Sequence, residues 1–194
     1  MNYLTAYLCA IVQLYKTAKN TKMPHLTIQQ IDSSAILALQ SISRKIFLEA
    51  FADTTSEANM KDYLDSSFSY DKLMAELEQP NSQFYFALSE GNVVGYLKLN
   101  TGDAQTEQEL EEALEIERIY VLAAFHGQKV GQALLNKAFD VARALQFKTI
   151  WLGVWENNQR ALRFYTKAGF EVFNSHIFRL GNDEQTDLMM KKQL

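Results

Sequence analysis

Eight residues, His126-Gly127-Gln128-Lys129-Val130-Gly131-Gln132-Ala133, stand between an alternating apolar run and a stretch of helical periodicity. The first turn of an α-helix exposes backbone N–H groups that have no partner within the helix, and it carries a partial positive charge. Small residues at that point let an anion reach those donors, so the stretch reads as a cradle for a pyrophosphate. It is not a Walker A loop, because no Gly-Lys-Ser/Thr follows. It is not a dinucleotide fingerprint either, because a third glycine in register is missing. Two glycines ahead of a helix also serve an ordinary turn, and from these residues alone both readings stand.

Two further constellations could handle protons. Asn158, Ala161 and Tyr165 fall on one face of a helical segment that stops at Gly169. In Leu114–Val121, Glu115 and Glu117 alternate onto one face of a strand, with Ile116 on the other. A partly buried carboxylate there has a raised pKa suited to general base work, and the alternative is an ion pair with a nearby base such as Arg118. Asp103, Glu107, Glu109, Glu111 and Glu112 add negative charge just upstream. Such a field draws in a polycation, although a charged surface loop is usually a solvated face, and that is the first reading for Glu107 to Glu112. The single cysteine, Cys9, and the scattered His25, His126 and His176 offer no metal-ligand spacing, so no metal is expected.

These groups need a scaffold. Leu26, Ile28 and Ile31 predict a strand. Ser33 and Ser34 offer caps for a helix over Ala35 to Phe51, and two shorter helices are predicted over Thr54 to Ser66 and Tyr70 to Leu77. Phe84–Leu88 and Val93–Leu99 around Gly91-Asn92 predict an antiparallel hairpin. Strand Leu114–Val121, helix Lys129–Leu145 and strand Thr149–Trp155 form a crossover unit. Helix Asn158–Ala168 and strands Phe170–Phe178 and Thr186–Met190 follow. The consistent fold class is a single α/β (α+β) domain over residues 24–194. Its mixed sheet is mostly antiparallel, with a central parallel strand pair, flanked by helices. Residues 1–23 read as an N-terminal extension, either a short extra helix around the apolar run Leu4–Leu14 or a segment ahead of a start at Met23. That run is shorter than the ~20 residues a bilayer requires, and the lysines follow it rather than precede it as in a signal peptide.

The second half resembles the GNAT family of N-acetyltransferases. Their acetyl-CoA loop, Gln/Arg-x-x-Gly-x-Gly/Ala, is matched by Gln128, Lys129, Val130, Gly131, Gln132 and Ala133. Their Asn-x-x-Ala-x-x-x-Tyr stretch ending in Gly-Phe is matched by Asn158, Ala161, Tyr165, Gly169 and Phe170. Lys129 stands where the family prefers an additional glycine. Leu114–Val121, Ile150–Glu156 and Asp183–Leu188 look like the PaiA-type spermidine/spermine N-acetyltransferases of bacteria. The resemblance implies acetyl-CoA as co-substrate, with its pantetheine arm beside Ile119 and Val121 in a gap between that strand and Thr149–Trp155. It further implies the Val121 N–H as oxyanion donor, Asn158 as holder of the coenzyme arm or helix cap, Tyr165 as proton donor to the leaving sulfur, and Glu117 as base, often through water. With Cys9 remote from both motifs, direct attack by the amine is expected rather than an acyl-enzyme. Spermidine or spermine is the implied acceptor. The alternatives are a protein or peptide amine, or a non-catalytic acyl-CoA-binding regulatory module. Asn59, Tyr63, Tyr120 and Trp155 are candidates for the acceptor side.

The chain has 194 residues, 47% hydrophobic and 12% aromatic, enough apolar side chain for a core. Nineteen basic against twenty-three acidic residues give a net charge of -4, without the basic excess that phosphate neutralisation of nucleic acid requires. The expected partners are therefore a small-molecule amine and no nucleic acid or membrane, with a homo-oligomer open. A single cysteine points to the cytoplasm.

Overall fold

The computed structural model describes residues 25–52, 54–180 and 183–194, so the reading of residues 1–23, including Cys9, lies outside it. Seven strands make one sheet in the order β1-β2-β3-β4-β5-β7-β6. The strands are β1 (Leu26–Ile31), β2 (Ser82–Ser89), β3 (Asn92–Asn100), β4 (Ala113–Val121), β5 (Thr149–Trp155), β6 (Glu171–Leu180) and β7 (Asp183–Gln193). Only β4 and β5 run parallel; every other neighbouring pair is antiparallel. The α-helices among the described residues are α1 (Ile36–Phe51), α2 (Glu57–Ser67), α3 (Tyr70–Glu78), α4 (Val130–Ala144) and α5 (Gln159–Lys167). None is long and apolar enough to cross a membrane.

The helices divide between the two faces of the sheet. On one face, Val130, Leu134, Leu135 and Ala138 of α4 and Tyr165 of α5 pack on Leu97, Ile116, Ile150 and Leu152. On the other, Leu39 and Phe47 of α1, Leu64 of α2 and Leu73 of α3 enclose Phe84, Phe86 and Tyr96. Burying each such Leu or Phe contributes about 1.5–3 kcal/mol. The sequence pattern therefore placed every element, and the differences lie at the ends. Asp32 rather than Ser33 or Ser34 supplies the cap, accepting from the Ser34 N–H at 2.9 Å ahead of a short 3-10 turn. Ser56 and Ser69 cap α2 and α3. β7 extends well past the apolar core of Thr186–Met190, because Asp187–Gln193 pairs with β5 and Asp183–Lys191 pairs with β6.

Between β3 and β4 the register slips by one residue. Leu99 pairs with Ile116 and Lys98 with Arg118, which leaves Glu117 as the extra residue of a β-bulge. Strict alternation is thereby reset. Glu115, Glu117, Arg118 and Tyr120 reach toward the α1–α3 side, whereas Ile116, Ile119 and Val121 pack toward α4 and α5. Pairing of β4 with β5 ends at Ile116–Leu152, and beyond that point the two strands diverge.

The acidic segment before β4 keeps Asp103, Glu109, Glu111 and Glu112 exposed, as a solvated surface does, but hydrogen bonds also tie it to the sheet. Glu115 accepts from the Thr106 N–H at 2.9 Å and from its hydroxyl, Trp151 donates to Gln105 at 2.7 Å, and Asn174 donates to Glu109 at 2.7 Å. The segment straps the α1–α3 face over Ala113, Trp151 and Met189, with Leu110 beneath it.

Candidate active site

The divergence of β4 from β5 leaves backbone groups free at the centre of the sheet. Leu122 donates its N–H to Val94 O at 2.9 Å, so its peptide groups face β3. Alternation along an antiparallel strand turns those of Val121 and Ile119 the other way, into the gap. The Val121 carbonyl is taken by His126 Nε2 at 2.9 Å, and Arg160 Nη1 lies 2.6 Å from His126 Nδ1. A carbonyl accepts and a guanidinium donates, so the tautomer with its hydrogen on Nε2 satisfies both neighbours. The bond fixes the connection from β4 to α4, and the Val121 N–H is left facing the gap.

At the end of that gap lies the start of α4. Lys129 occupies the N-cap position with no side-chain cap, and the first intrahelical bond runs from the Ala133 N–H to Lys129 O at 3.0 Å. The N–H groups of Val130, Gly131 and Gln132 precede that bond. Gln128 anchors the approach through Ala124 O at 2.8 Å. A Cβ on Gly131 would stand 4.0 Å from Phe164 and from Val121, so the first turn lies against both the α5 aromatic and the gap. A cavity of about 340 Å³ beside it is lined by Gln132, Phe139, Phe164, Lys167 and Ala168.

Lys129 has φ 64°, the left-handed conformation that glycine adopts freely and that costs an L-residue about 1–2 kcal/mol. Its place in the motif explains the family's preference for glycine there. Replacing Lys129 by Gly is expected to stabilise the fold by ~1 kcal/mol, read as a raised Tm, and to weaken binding of a pyrophosphate-bearing ligand, because a cation beside the helix start is lost.

Asn158 caps α5, accepting from the Ala161 N–H at 3.1 Å. The Tyr165 ring packs against Phe164 and Phe170 in the same cluster as Ile119 and Val121. Burial alone pushes its phenol well above the ordinary tyrosine value. Tyr165 also contributes to raising Tyr120 across the gap, after burial and the neighbouring Tyr96 and Tyr63.

Glu117 differs from its expected state. Burial works to raise its pKa, but Arg118, Lys98 and Asn100 outweigh it and hold the carboxyl below the ordinary range. Oε2 accepts from Lys98 Nζ at 2.6 Å and Asn100 Nδ2 at 2.5 Å, and Oε1 lies 3.0 Å from Arg118 Nη2. The raised pKa argued from partial burial is thus corrected, since both oxygens are engaged by cations or donors. Burial does raise the Glu115 carboxyl, against the hydrogen bonds of Thr106 and Asn100. Lys98 and Asn100 sit among apolar residues of β3; their polar character was a signal in the sequence, but only the register sets them opposite the glutamates.

On the α1–α3 side, Phe51 faces Trp155 at 6.3 Å, and Tyr63 lies between Phe47 and Phe178. Asn59 and Thr55 tie this wall to β7, donating to Asp183 Oδ2 at 3.1 and 2.6 Å. Those two bonds lower the Asp183 carboxyl.

Residues 43–170 match the family model described as the acetyltransferase (GNAT) family. An N-acetyltransferase of Lactobacillus delbrueckii subsp. lactis, from the pepI 3' region, is 38% identical over 172 residues, covering 89% of this chain and 99% of that one. The spermidine N(1)-acetyltransferase of Thermoplasma acidophilum is 21% identical over 151 residues, covering 76% of this chain and 89% of that protein. The crystal structure of the PaiA N-acetyltransferase of Thermoplasma acidophilum, in complex with coenzyme A, superposes with a TM-score of 0.73 at 20% identity, covering 88% of this chain and 99% of that one.

Proposed function

Because the chain belongs to the GNAT family of acetyltransferases, we propose that it transfers the acetyl group of acetyl-CoA to a primary amine of a small polycation, with spermidine or spermine as first choice. The observation that carries the reading is that three features come together on one side of the sheet. These are the uncapped first turn of α4, the Ile119–Val121 stretch of β4 beyond its pairing with β5, and Tyr165 in the same apolar cluster as those two residues. A pyrophosphate fits the amides of residues 130–132 with Gln128, Lys129 and Ala133 around them, and an extended amide-bearing arm fits the β4 edge as an additional strand would.

In this assignment the thioester carbonyl lies against the Val121 N–H, which stabilises the developing oxyanion. The neutral amine attacks the carbonyl carbon, the C–N bond forms, and the C–S bond breaks with its electron pair on sulfur. Tyr165, kept protonated by burial, supplies the proton to that sulfur. Glu117, kept ionised, contributes negative charge that favours a cationic acceptor. Asp183, Asp187 and Glu107 extend that charge along the α1–α3 face, and the named spermidine acetyltransferase relative supports the same acceptor class.

The test is thiol release from acetyl-CoA with spermidine, spermine, simple monoamines and peptides side by side. Turnover with the polyamines is expected. Turnover with peptides alone overturns the acceptor assignment, and tight coenzyme binding without any turnover overturns the enzymatic one.

A further inference from the structure

On the α1–α3 face, β5 carries no side chain at Gly153, the residue that follows the last β4–β5 pair, Ile116–Leu152. The space above it is bounded by an imidazole. A Cβ at Gly153 would stand 3.5 Å from His176 Cε1, 3.8 Å from His176 Nε2 and 3.7 Å from Asp187 Oδ2. His176 therefore leans from the edge strand β6 across β7 to the point where the sheet opens. Asp187 Oδ2 lies 3.9 Å from Nε2 and Glu107 Oε1 lies 3.5 Å from Nδ1. Nδ1 is buried without a hydrogen-bond partner, while the side chain as a whole keeps 24% of its surface exposed. The charged groups facing the ring are Glu107 from the strap and Asp187 from β7, and β5 contributes only the bare Gly153.

We propose that His176, held between Asp187 and Glu107 above Gly153, accepts the proton of the acceptor amine during acetyl transfer. The inference rests on the acetyltransferase reading and adds to it the group that generates the nucleophile. Glu117 is poorly suited to that task because both of its oxygens are occupied. Imidazole is the side chain best matched to moving a proton near neutral pH. With the proton on Nδ1, the nitrogen 3.5 Å from Glu107 Oε1, the lone pair is on Nε2, which lies 3.8 Å from where a Cβ on Gly153 would stand. An ammonium entering that space gives one proton to Nε2, and the neutral amine then attacks the thioester. As the amide forms, the nitrogen loses its second proton, which replaces on Tyr165 the one that its phenol gave to the sulfur, and His176 passes the first proton to solvent, so the reaction releases one proton net. The imidazolium is balanced by Asp187 on one side and Glu107 on the other. Burial pushes the Asp187 carboxyl up, and the His176 imidazole 3.9 Å away works in the opposite direction.

The experiment compares wild type, His176→Gln, His176→Ala and Asp187→Asn in steady-state kinetics with acetyl-CoA and each amine of the panel above, across pH. His176→Gln is expected to lower kcat by about 10²-fold with acetyl-CoA KM unchanged, and to abolish the acid limb of the kcat/KM profile. Added free imidazole is expected to restore part of the activity of His176→Ala, and Asp187→Asn to shift the acid limb with a smaller loss of kcat. An active wild type alongside a His176→Gln variant that keeps its kcat, or that loses only acceptor KM at every pH, overturns the proton-acceptor role. A wild type inactive with every amine overturns the acetyltransferase reading itself, and this role falls with it.

Discussion

Tyr165→Phe lowers kcat by about 10²-fold or more and leaves acetyl-CoA affinity largely unchanged. The aromatic ring is retained, so the contacts with Phe164 and Phe170 that seat α5 on the sheet persist. What is lost is one hydroxyl beside the Ile119–Val121 edge. Burial holds that phenol protonated well beyond neutral pH, which makes it a donor and not a base, and no other hydroxyl in the motif can replace it. Steady-state kinetics combined with a direct coenzyme-binding measurement checks both halves of the statement. An unchanged kcat removes Tyr165 as the proton donor, and a large loss of coenzyme affinity makes it a binding residue instead.

Lys98→Met is expected to have the largest effect on stability, a loss of about 3–5 kcal/mol. The Lys98 ammonium is almost fully buried and lies 3.1 Å from Glu76 and 2.6 Å from Glu117. Arg118 also touches both carboxylates, at 2.8 and 3.0 Å. Removing Lys98 leaves the two carboxylates with the Arg118 guanidinium and, for Glu76, only the exposed Lys72 ammonium at 3.7 Å. The pH dependence has a definite sign. Glu117 is held below its ordinary value in the fold, so its contribution is present at neutral pH and is lost as the pH falls below 4.5 and through the folded-state value. The gap in Tm between wild type and Lys98→Met should therefore narrow at acid pH. Adding Glu76→Gln should recover part of the loss, because it removes one of the unpaired charges, and thermal melts of the two single variants and the double variant measure that coupling. Additive losses would show that the network is not a unit.

Much of this protein is legible in its residues because the relevant signals are local. The Gln128–Ala133 run and the Asn158-to-Tyr165 face each lie within a single helix start or helix face, where spacing alone brings the groups together. The hairpin at Gly91, the amphipathic α4 and the apolar β5 are likewise set by period and turn chemistry. Glu117 marks where that legibility ends. Partial burial argues for a raised pKa, but the outcome depends on Lys98, which comes from another strand, and on a one-residue slip that puts Arg118 on the same side. Glu107 and His176 are more than sixty positions apart and carry no shared motif; only the order β5-β7-β6 and the strap across it place them together over Gly153.

The linear chain by itself determined the element order, the start of α4 and the helix face that carries Asn158, Ala161 and Tyr165, since each depends on hydrophobic period, capping and spacing within about ten residues. Tertiary structure alone decided that the Glu115 carboxyl is pushed up and the Glu117 carboxyl down, where the pairing of β4 with β5 ends, and which imidazole stands over Gly153. The reason is that protonation and hydrogen-bond state depend on the charges and dielectric within a few ångströms, and that neighbourhood is assembled from strands far apart in sequence.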